Sequence, residues 1–294
     1  MKLKIAIAIA TAGRRVVLAD TLQVLARQSR MADELLICPA KDDDLDLKCL
    51  ENYPGVFRLF RSNVGSSPQR NVLLTSTDAD VVVFFDDDFL PSQDYILEVE
   101  ALFSTHQDVV LATGKVLADG ITGAGLEHSE AVEILAADGP NSGSYEIEPV
   151  YNGYGCNMAV RAKIAIDNDV RFDERLPLYA WLEDVDFSRQ LAPFGKIVLC
   201  SRLRGVHMGT KRAGRSPGKR LGYSQVMNPI YLAHKGTMQW KRAVNQVGRN
   251  LIANSLRSFA PEPWVDRRGR LMGNMRALID LMRGKICPEK ALNE

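Results

Sequence analysis

The stretch that most narrows what this chain can become is Val81-Val82-Val83-Phe84-Phe85, followed at once by Asp86-Asp87-Asp88 and Phe89-Leu90-Pro91. A run of β-branched and aromatic residues predicts a strand buried on both faces, as in the interior of a parallel sheet. In open α/β sheets ligands sit beyond the carboxyl ends of the strands, and here that end carries a row of carboxylates. Clustered hard oxygen ligands suit Mg2+ or Mn2+. A solvated acidic turn is the competing reading, but the run is too apolar for an edge hairpin. The expectation is a divalent-cation site that carries a phosphorylated ligand.

The same pattern precedes it. Lys2 to Ala10 reads as a first central strand, broken by Thr11-Ala12-Gly13-Arg14, where a ligand loop can sit. Leu18, Leu22, Leu25 and Ala26 recur at helical spacing. Glu34 to Cys38 is a second strand that empties into Lys41-Asp42-Asp43-Asp44, and Val56 to Phe60 is a third. After Arg61-Ser62-Asn63-Val64-Gly65-Ser66, the pair Ser67-Pro68 reads as an N-cap with proline at the first helical position. That helix carries Arg70 and Asn71 in its first turn. Gln93 to His106 reads as a helix and Asp108 to Leu117 as a strand. The alternation predicts an α/β layer architecture with right-handed crossovers. Asp119 to Val150 shows no clean period and reads as an insertion or hairpin.

Farther on, Tyr151-Asn152-Gly153-Tyr154-Gly155-Cys156-Asn157 offers backbone that can approach a ligand closely. Trp181-Leu182-Glu183-Asp184-Val185-Asp186 opens a helix with acids in its first turn, where the helix dipole favours them. A strand from Lys196 to Cys200 leads to Val206-His207-Met208-Gly209. Between Ser201 and Ala260 there are twelve Lys or Arg and no Asp or Glu; with a net charge of +1, the remainder carries 1 − 12 = −11. That tract of the chain therefore faces something anionic. The five widely spaced cysteines contain no CxxC pair, which suits reduced thiols and a cytoplasmic protein. The apolar run at the amino terminus is too short for a signal peptide, and no apolar stretch approaches the roughly 18 residues of a membrane span.

Four of these pieces, taken in order, resemble the family 2 glycosyltransferases, nucleotide-sugar enzymes of the GT-A fold: Thr11-Ala12-Gly13-Arg14, Asn63-Val64-Gly65 to Arg70-Asn71, Asp86-Asp87-Asp88 in the place of the DxD, and Glu183-Asp184 with His207 downstream. The resemblance covers about residues 3 to 210. It implies a Rossmann-like, mostly parallel sheet flanked by helices, with a helical carboxyl-terminal extension. The expected division is a catalytic domain at 1–210, its nucleotide-binding half at 1–115 and acceptor-binding half at 116–210, then a basic lid and accessory helices at 211–294. The chain departs from the family in having Gln69 where Ala usually precedes the Arg, and Cys38-Pro39-Ala40-Lys41-Asp42 after the second strand.

The resemblance implies an inverting transfer of a sugar, a UDP-hexose being favoured, to a saccharide or polyprenyl-linked acceptor in bacterial polysaccharide synthesis. Asp88 and His207 are the expected ligands of Mn2+ or Mg2+. Asp86 would reach the ribose; Asp87, Thr11, Ala12, Gly13, Arg14, Asp42, Asn63, Arg70, Asn157, Lys211 and Arg212 complete the donor-binding set. Asp184 is the expected general base, and Glu183 and Trp181 would contact the acceptor. A sugar-nucleotide nucleotidyltransferase would need a more glycine-rich phosphate loop than Thr11 to Arg15. A phosphatase DxDx(T/V) motif has Leu90 in its last place. A non-catalytic carbohydrate-binding module is the other alternative, against which a DxD with a separate candidate base argues. Nucleic acid is not an expected partner, since no signature of such binding is present. From Asn228 to Ser258, apolar residues at helical spacing with cations between them predict an interfacial helix on the inner face of the plasma membrane.

Overall fold

The computed structural model describes residues 2–51, 53–139, 145–210 and 218–294. In chain order the main elements are β1 (Ile5–Thr11), α1 (Arg15–Leu25), β2 (Glu34–Pro39), β3 (Phe57–Leu59), α2 (Ser66–Thr75), β4 (Val81–Asp86), β5 (Phe89–Pro91), α3 (Tyr95–Thr105), β6 (Val109–Asp119), α4 (His128–Asp138), β7 (Ile147–Pro149), β8 (Asn157–Arg161), α5 (Ala162–Asp167), α6 (Glu183–Leu191), β9 (Lys196–His207), α7 (Gly218–Lys235), α8 (Trp240–Arg257) and α9 (Arg267–Met282). None of the described helices is long and apolar enough to cross a membrane. Compactness divides the described chain in two: residues 2–64, Pro68–Arg171 and 191–210 form one unit, and Gly65–Ser67, Phe172–Gln190 and 218–294 the other. Phe172–Gln190, expected with the acceptor-binding half, thus belongs to the unit of the carboxyl-terminal helices.

The first unit is built on one sheet in the order β3-β2-β1-β4-β8-β6-β9-β5, with β7 on β9. β1 lies parallel to β2 and β4, and β2 parallel to β3, as the apolar runs predict. Beyond β4 the pairing turns mixed: β8 is antiparallel to β4 and β6, β5 and β7 are antiparallel to β9, and β6 and β9 are parallel. Helices cover the sheet because its central strands are apolar on both faces. Ile5, Ile7, Ile9, Val83 and Phe85 pack with Leu18, Leu22 and Leu25 of α1 and with Tyr95, Val99 and Phe103 of α3. The Phe85 ring stacks on Phe89 at 5.3 Å and meets Tyr95 edge-on at 5.0 Å, so the acids between Phe85 and Phe89 are bracketed by anchored rings.

Two expectations on this unit change. The insertion after Asp119 contains the helix α4, whose Ala131 packs with Leu90, Val206 and Met208. The strand expected to end at Cys200 runs on as β9 to His207, which makes His207 a strand-end residue like Asp86.

In the second unit, Leu176, Ala180, Leu232, Ala233, Met238 and Ala243 form one core cluster, and Tyr223, Val226, Met227, Ala277 and Ala291 another. The single interfacial helix expected over 228–258 is two helices. Gly236, at φ +87°, stops α7, and the N–H groups of Thr237 and Met238 donate back to the Leu232 carbonyl at 3.0 and 3.1 Å; this is how a left-handed glycine ends a helix. Ahead of α6, Leu178, Ala180 and Leu182 all adopt positive φ, 55°, 50° and 75°. That conformation costs a non-glycine residue about 1 kcal/mol or more. It persists because the segment is held at several points: Ser66 N–H donates to Leu178 O (2.8 Å), Glu183 N–H to Ala180 O (2.9 Å), and buried Asn228 Nδ2 to Trp181 O (2.8 Å).

Candidate active site

The acids stand where they do because β4 ends on Asp86 and β5 begins on Phe89, which pairs with His207 at the end of β9. That register brings Asp88 Oδ1 to 3.3 Å and Asp86 Oδ2 to 3.9 Å from His207 Nε2. One ligand atom from each of Asp86, Asp88 and His207 lies within 4.8 Å of the others. Gly209, at φ +60°, crosses the backbone of Gly120 and Ile121 so closely that a Cβ there would collide with main chain, and this keeps the chain after His207 against the end of β6.

His207 is held from behind. Its Nδ1–H donates to Asp119 Oδ1 at 2.9 Å, and the Tyr154 hydroxyl donates to Asp119 Oδ2 at 2.9 Å. This leaves Nε2 facing the aspartates, the arrangement by which a carboxylate fixes the tautomer and direction of a metal-ligating imidazole. Burial works against a charge on His207, yet Asp119, Asp88 and Asp86 outweigh it and raise its pKa to about 10. The surroundings thus favour positive charge at this point, whether a proton or a metal ion carries it.

Asp88 is 1% exposed. Its Oδ2 accepts from Thr210 N–H at 2.8 Å and lies 3.0 Å from Arg14 Nη1. Its Oδ1 is buried without a well-directed hydrogen bond. Burial pushes the Asp88 carboxyl up, but His207, Arg14 and the Thr210 N–H together hold it below the ordinary range. An ionised carboxylate with an unsatisfied buried oxygen, a second carboxylate and an imidazole are a donor set that fits Mn2+ or Mg2+.

The other donor-site expectations divide. Arg14 Nη1 donates to Asp87 Oδ1 (2.8 Å) and Nη2 to Thr210 O (3.1 Å), while the Thr11 hydroxyl donates to Asp87 Oδ2 (2.6 Å). Asp87 is therefore a buried tie between the first loop and the acid turn; burial and neighbouring Asp88 push its carboxyl up in spite of Arg14. Arg70 donates to Asp86 Oδ1 at 2.7 Å and to Gly155 O at 2.9 Å. Ala12 is half-buried, and Gly13 and Asn63 are exposed, on the loops after β1 and β3. Asn157 is fully buried and spends its amide on the Thr113 hydroxyl and the Gly114 backbone. Asp42 is exposed and pairs with Arg61. Lys211 and Arg212 lie outside the described residues.

Asp44, Asp119, Tyr154 and Gln69 were not singled out as site residues. Asp44 accepts from Gly13 N–H (2.8 Å) and Lys41 N–H (2.9 Å), joining the loops after β1 and β2. Gln69 donates to Thr11 O (3.1 Å) and Cys38 O (2.5 Å), clasping the ends of those strands. Asp119 ends an apolar strand as Asp86 does, a signal the sequence contained.

In the second unit, Glu183, Asp184 and Asp186 occupy the first turn of α6. Asp184 Oδ1 accepts from Val185 N–H at 2.8 Å, and half-buried Trp181 sits on the strained segment. Asp186 is fully buried and bound by Lys235 Nζ (2.7 Å), the Thr237 hydroxyl (2.6 Å) and Gln190 Nε2 (2.7 Å).

No curated protein matches the chain. Among solved structures it is similar to Staphylococcus aureus TarS, at 17% identity and TM-score 0.54, covering 88% of this chain and 44% of that one. It is also similar to TarS 1-349 in complex with UDP-GlcNAc, at 16% identity and TM-score 0.58 over 98% and 83% of the two chains. The mannosyltransferase PcManGT from Pyrobaculum calidifontis, in complex with GDP-Man and Mn2+, matches at 13% identity and TM-score 0.58 over 99% and 79%. These likenesses establish the GT-A fold. The profile of glycosyl transferase family 2 matches residues 6–166, more than half of the sequence, and the chain belongs to that family.

Proposed function

We propose that this protein is an inverting, metal-dependent glycosyltransferase that moves a hexose from a nucleoside diphosphate, UDP being favoured, to a saccharide or polyprenyl-linked acceptor. The observation that carries the proposal is the cluster of Asp86, Asp88 and His207 at the strand ends, in a chain of this family. That PcManGT is held with GDP-Man and Mn2+, and TarS with UDP-GlcNAc, supports a nucleotide-sugar donor and a divalent ion. Asp86, Asp88 and His207 would hold Mn2+ or Mg2+, which supplies charge stabilisation for a departing diphosphate. The chain's own residues do the rest. Arg14 holds Asp87 and Asp88 and Arg70 holds Asp86 in position, and Asp119 orients His207.

In this reading Asp184 is the general base. Its carboxylate takes the proton of the acceptor hydroxyl, whose oxygen attacks the anomeric carbon opposite the diphosphate; the bond to the diphosphate breaks and its electrons leave with that group. Glu183 and Trp181 orient the acceptor. Bacterial cell-envelope or extracellular polysaccharide synthesis in the cytoplasm is the setting that fits such an enzyme.

The test is a screen of UDP-, GDP- and dTDP-sugars for Mn2+-dependent hydrolysis and thermal stabilisation. One nucleotide class should stand out, and only with metal present. Response to none of them, or full response in chelator, would overturn the reading.

A further inference from the structure

The outer face of α8 carries an unbroken row at helical steps: Lys241, Asn245, Arg249, Ile252 and Leu256, with Phe259 one turn farther on, all exposed. Its opposite face is the packed one, where Ala243 and Asn254 are buried. The row is polar and cationic toward its start and wholly apolar toward its end, where Ile252, Leu256 and Phe259 are 62%, 68% and 86% exposed. Adjacent water-facing Ile, Leu and Phe side chains form an apolar patch with no partner among the described residues, and such patches mark contact surfaces. The charge on the helix itself has one sign. α8 carries Lys241, Arg242, Arg249 and Arg257 and no carboxylate, and the next acid in the chain, Glu262, is already paired with Arg257 and Arg267.

We propose that this row docks the protein on an anionic lipid surface, with Ile252, Leu256 and Phe259 entering the headgroup and acyl boundary and Lys241 and Arg249 meeting lipid phosphates. The combination of an apolar end, cations on the same row and no acid on the helix is what an interfacial helix requires. A face for a second protein copy would need to balance its own cations across the contact. The interfacial role belongs to α8 and Phe259 alone, because in α7 the corresponding apolar residues are spent on the core of their own unit. The proposal rests on α8 and is independent of the transfer chemistry.

The experiment is flotation of the full chain with vesicles of phosphatidylcholine alone or mixed with phosphatidylglycerol, at low and high salt. The parent should float with the anionic vesicles at low salt, less at high salt as the charges are screened, and not with phosphatidylcholine alone. The variant Ile252→Ser/Leu256→Ser/Phe259→Ser should partition roughly tenfold less or worse, with unchanged Tm and unchanged nucleotide-sugar binding. Lys241→Glu/Arg249→Glu should abolish the preference for anionic lipid. Absence of flotation at low salt, equal binding to neutral vesicles, or variants that bind like the parent would overturn the proposal. So would light scattering that shows a parent dimer and a monomeric triple-serine variant, since the row would then be a subunit interface.

Discussion

Asp119 touches no expected substrate, yet its loss should be felt at the proposed metal site. Asp119→Asn removes the charge that fixes His207 through Nδ1, and residues in that position are worth about 10–100-fold in metal affinity. Titration with Mn2+ followed by electron paramagnetic resonance should show that weakening while secondary structure is kept. Asp88 is better probed by Asn than by Ala, because its Oδ2 also holds Thr210 N–H beside Arg14. Asp88→Asn should lose Mn2+-dependent donor binding and keep its thermal transition; undiminished metal-dependent binding would remove Asp88 from the site. For Asp184→Asn the expected outcome is donor affinity as in the parent and transfer slower by about 10²–10⁴, the usual worth of a positioned base. Near-parental transfer would move the role to Glu183. At this scale the sequence was readable where acids follow apolar runs, as at Asp86 and Asp88. It marked Asp119 as a strand-end acid but gave no sign that Asp119 and Tyr154 meet His207, since that depends on a pairing that joins positions 88 and 53 residues apart. It also did not separate Asp44 from Asp42, because one 3₁₀ turn decides which of two neighbouring acids points inward.

Among the elements, α6, the helix of the proposed base Asp184, shows how a buried carboxylate can keep a helix in place. Asp186 lies at its first turn and shares Lys235 with Asp173, which also accepts from the Tyr231 hydroxyl. Lys235→Met strips the cation from buried Asp186 and half-buried Asp173 and should destabilise by about 3 kcal/mol at neutral pH, the low end for breaking a buried pair because Lys235 is partly exposed. The pH dependence follows from Asp186. Burial already raises its pKa above the ordinary 3.8 against the pull of Lys235, and removing Lys235 raises it further. The folded variant then takes up the proton before the unfolded chain does, so its stability is best below the ordinary carboxylate pKa and is lost as pH rises through the raised native value. Urea unfolding should therefore show a smaller deficit at pH 5 than at pH 7; a constant deficit would mean that Asp186 is not the responsible group. The helices were legible wherever an apolar stripe and a stop signal coincided. The split of 228–258 was not, since Gly236 stands between two segments whose apolar spacing continues across it.

For the whole molecule, the parallel half of the sheet was legible because each of its strands is a local apolar run, whereas the mixed half depends on pairings between distant segments. β5, three residues long, pairs only with β9 among the described strands, and Phe89 meets His207 at a sequence separation of 118, 207 − 89. This order has a consequence in time. As the chain leaves the ribosome, β1, β2, β3 and β4 can pair early, but Asp86 and Asp88 wait for His207, and closing so long a loop is slow and leaves strand edges open meanwhile. Refolding monitored by pulsed hydrogen exchange should protect β1 and β4 before β5 and β9, with Mn2+ accelerating only the later phase. Simultaneous protection of both halves would contradict this order. During synthesis the nascent chain thus carries its acids without the residue that completes their cluster, and a ribosome stalled before position 207 would hold the early strands with the proposed metal site still incomplete.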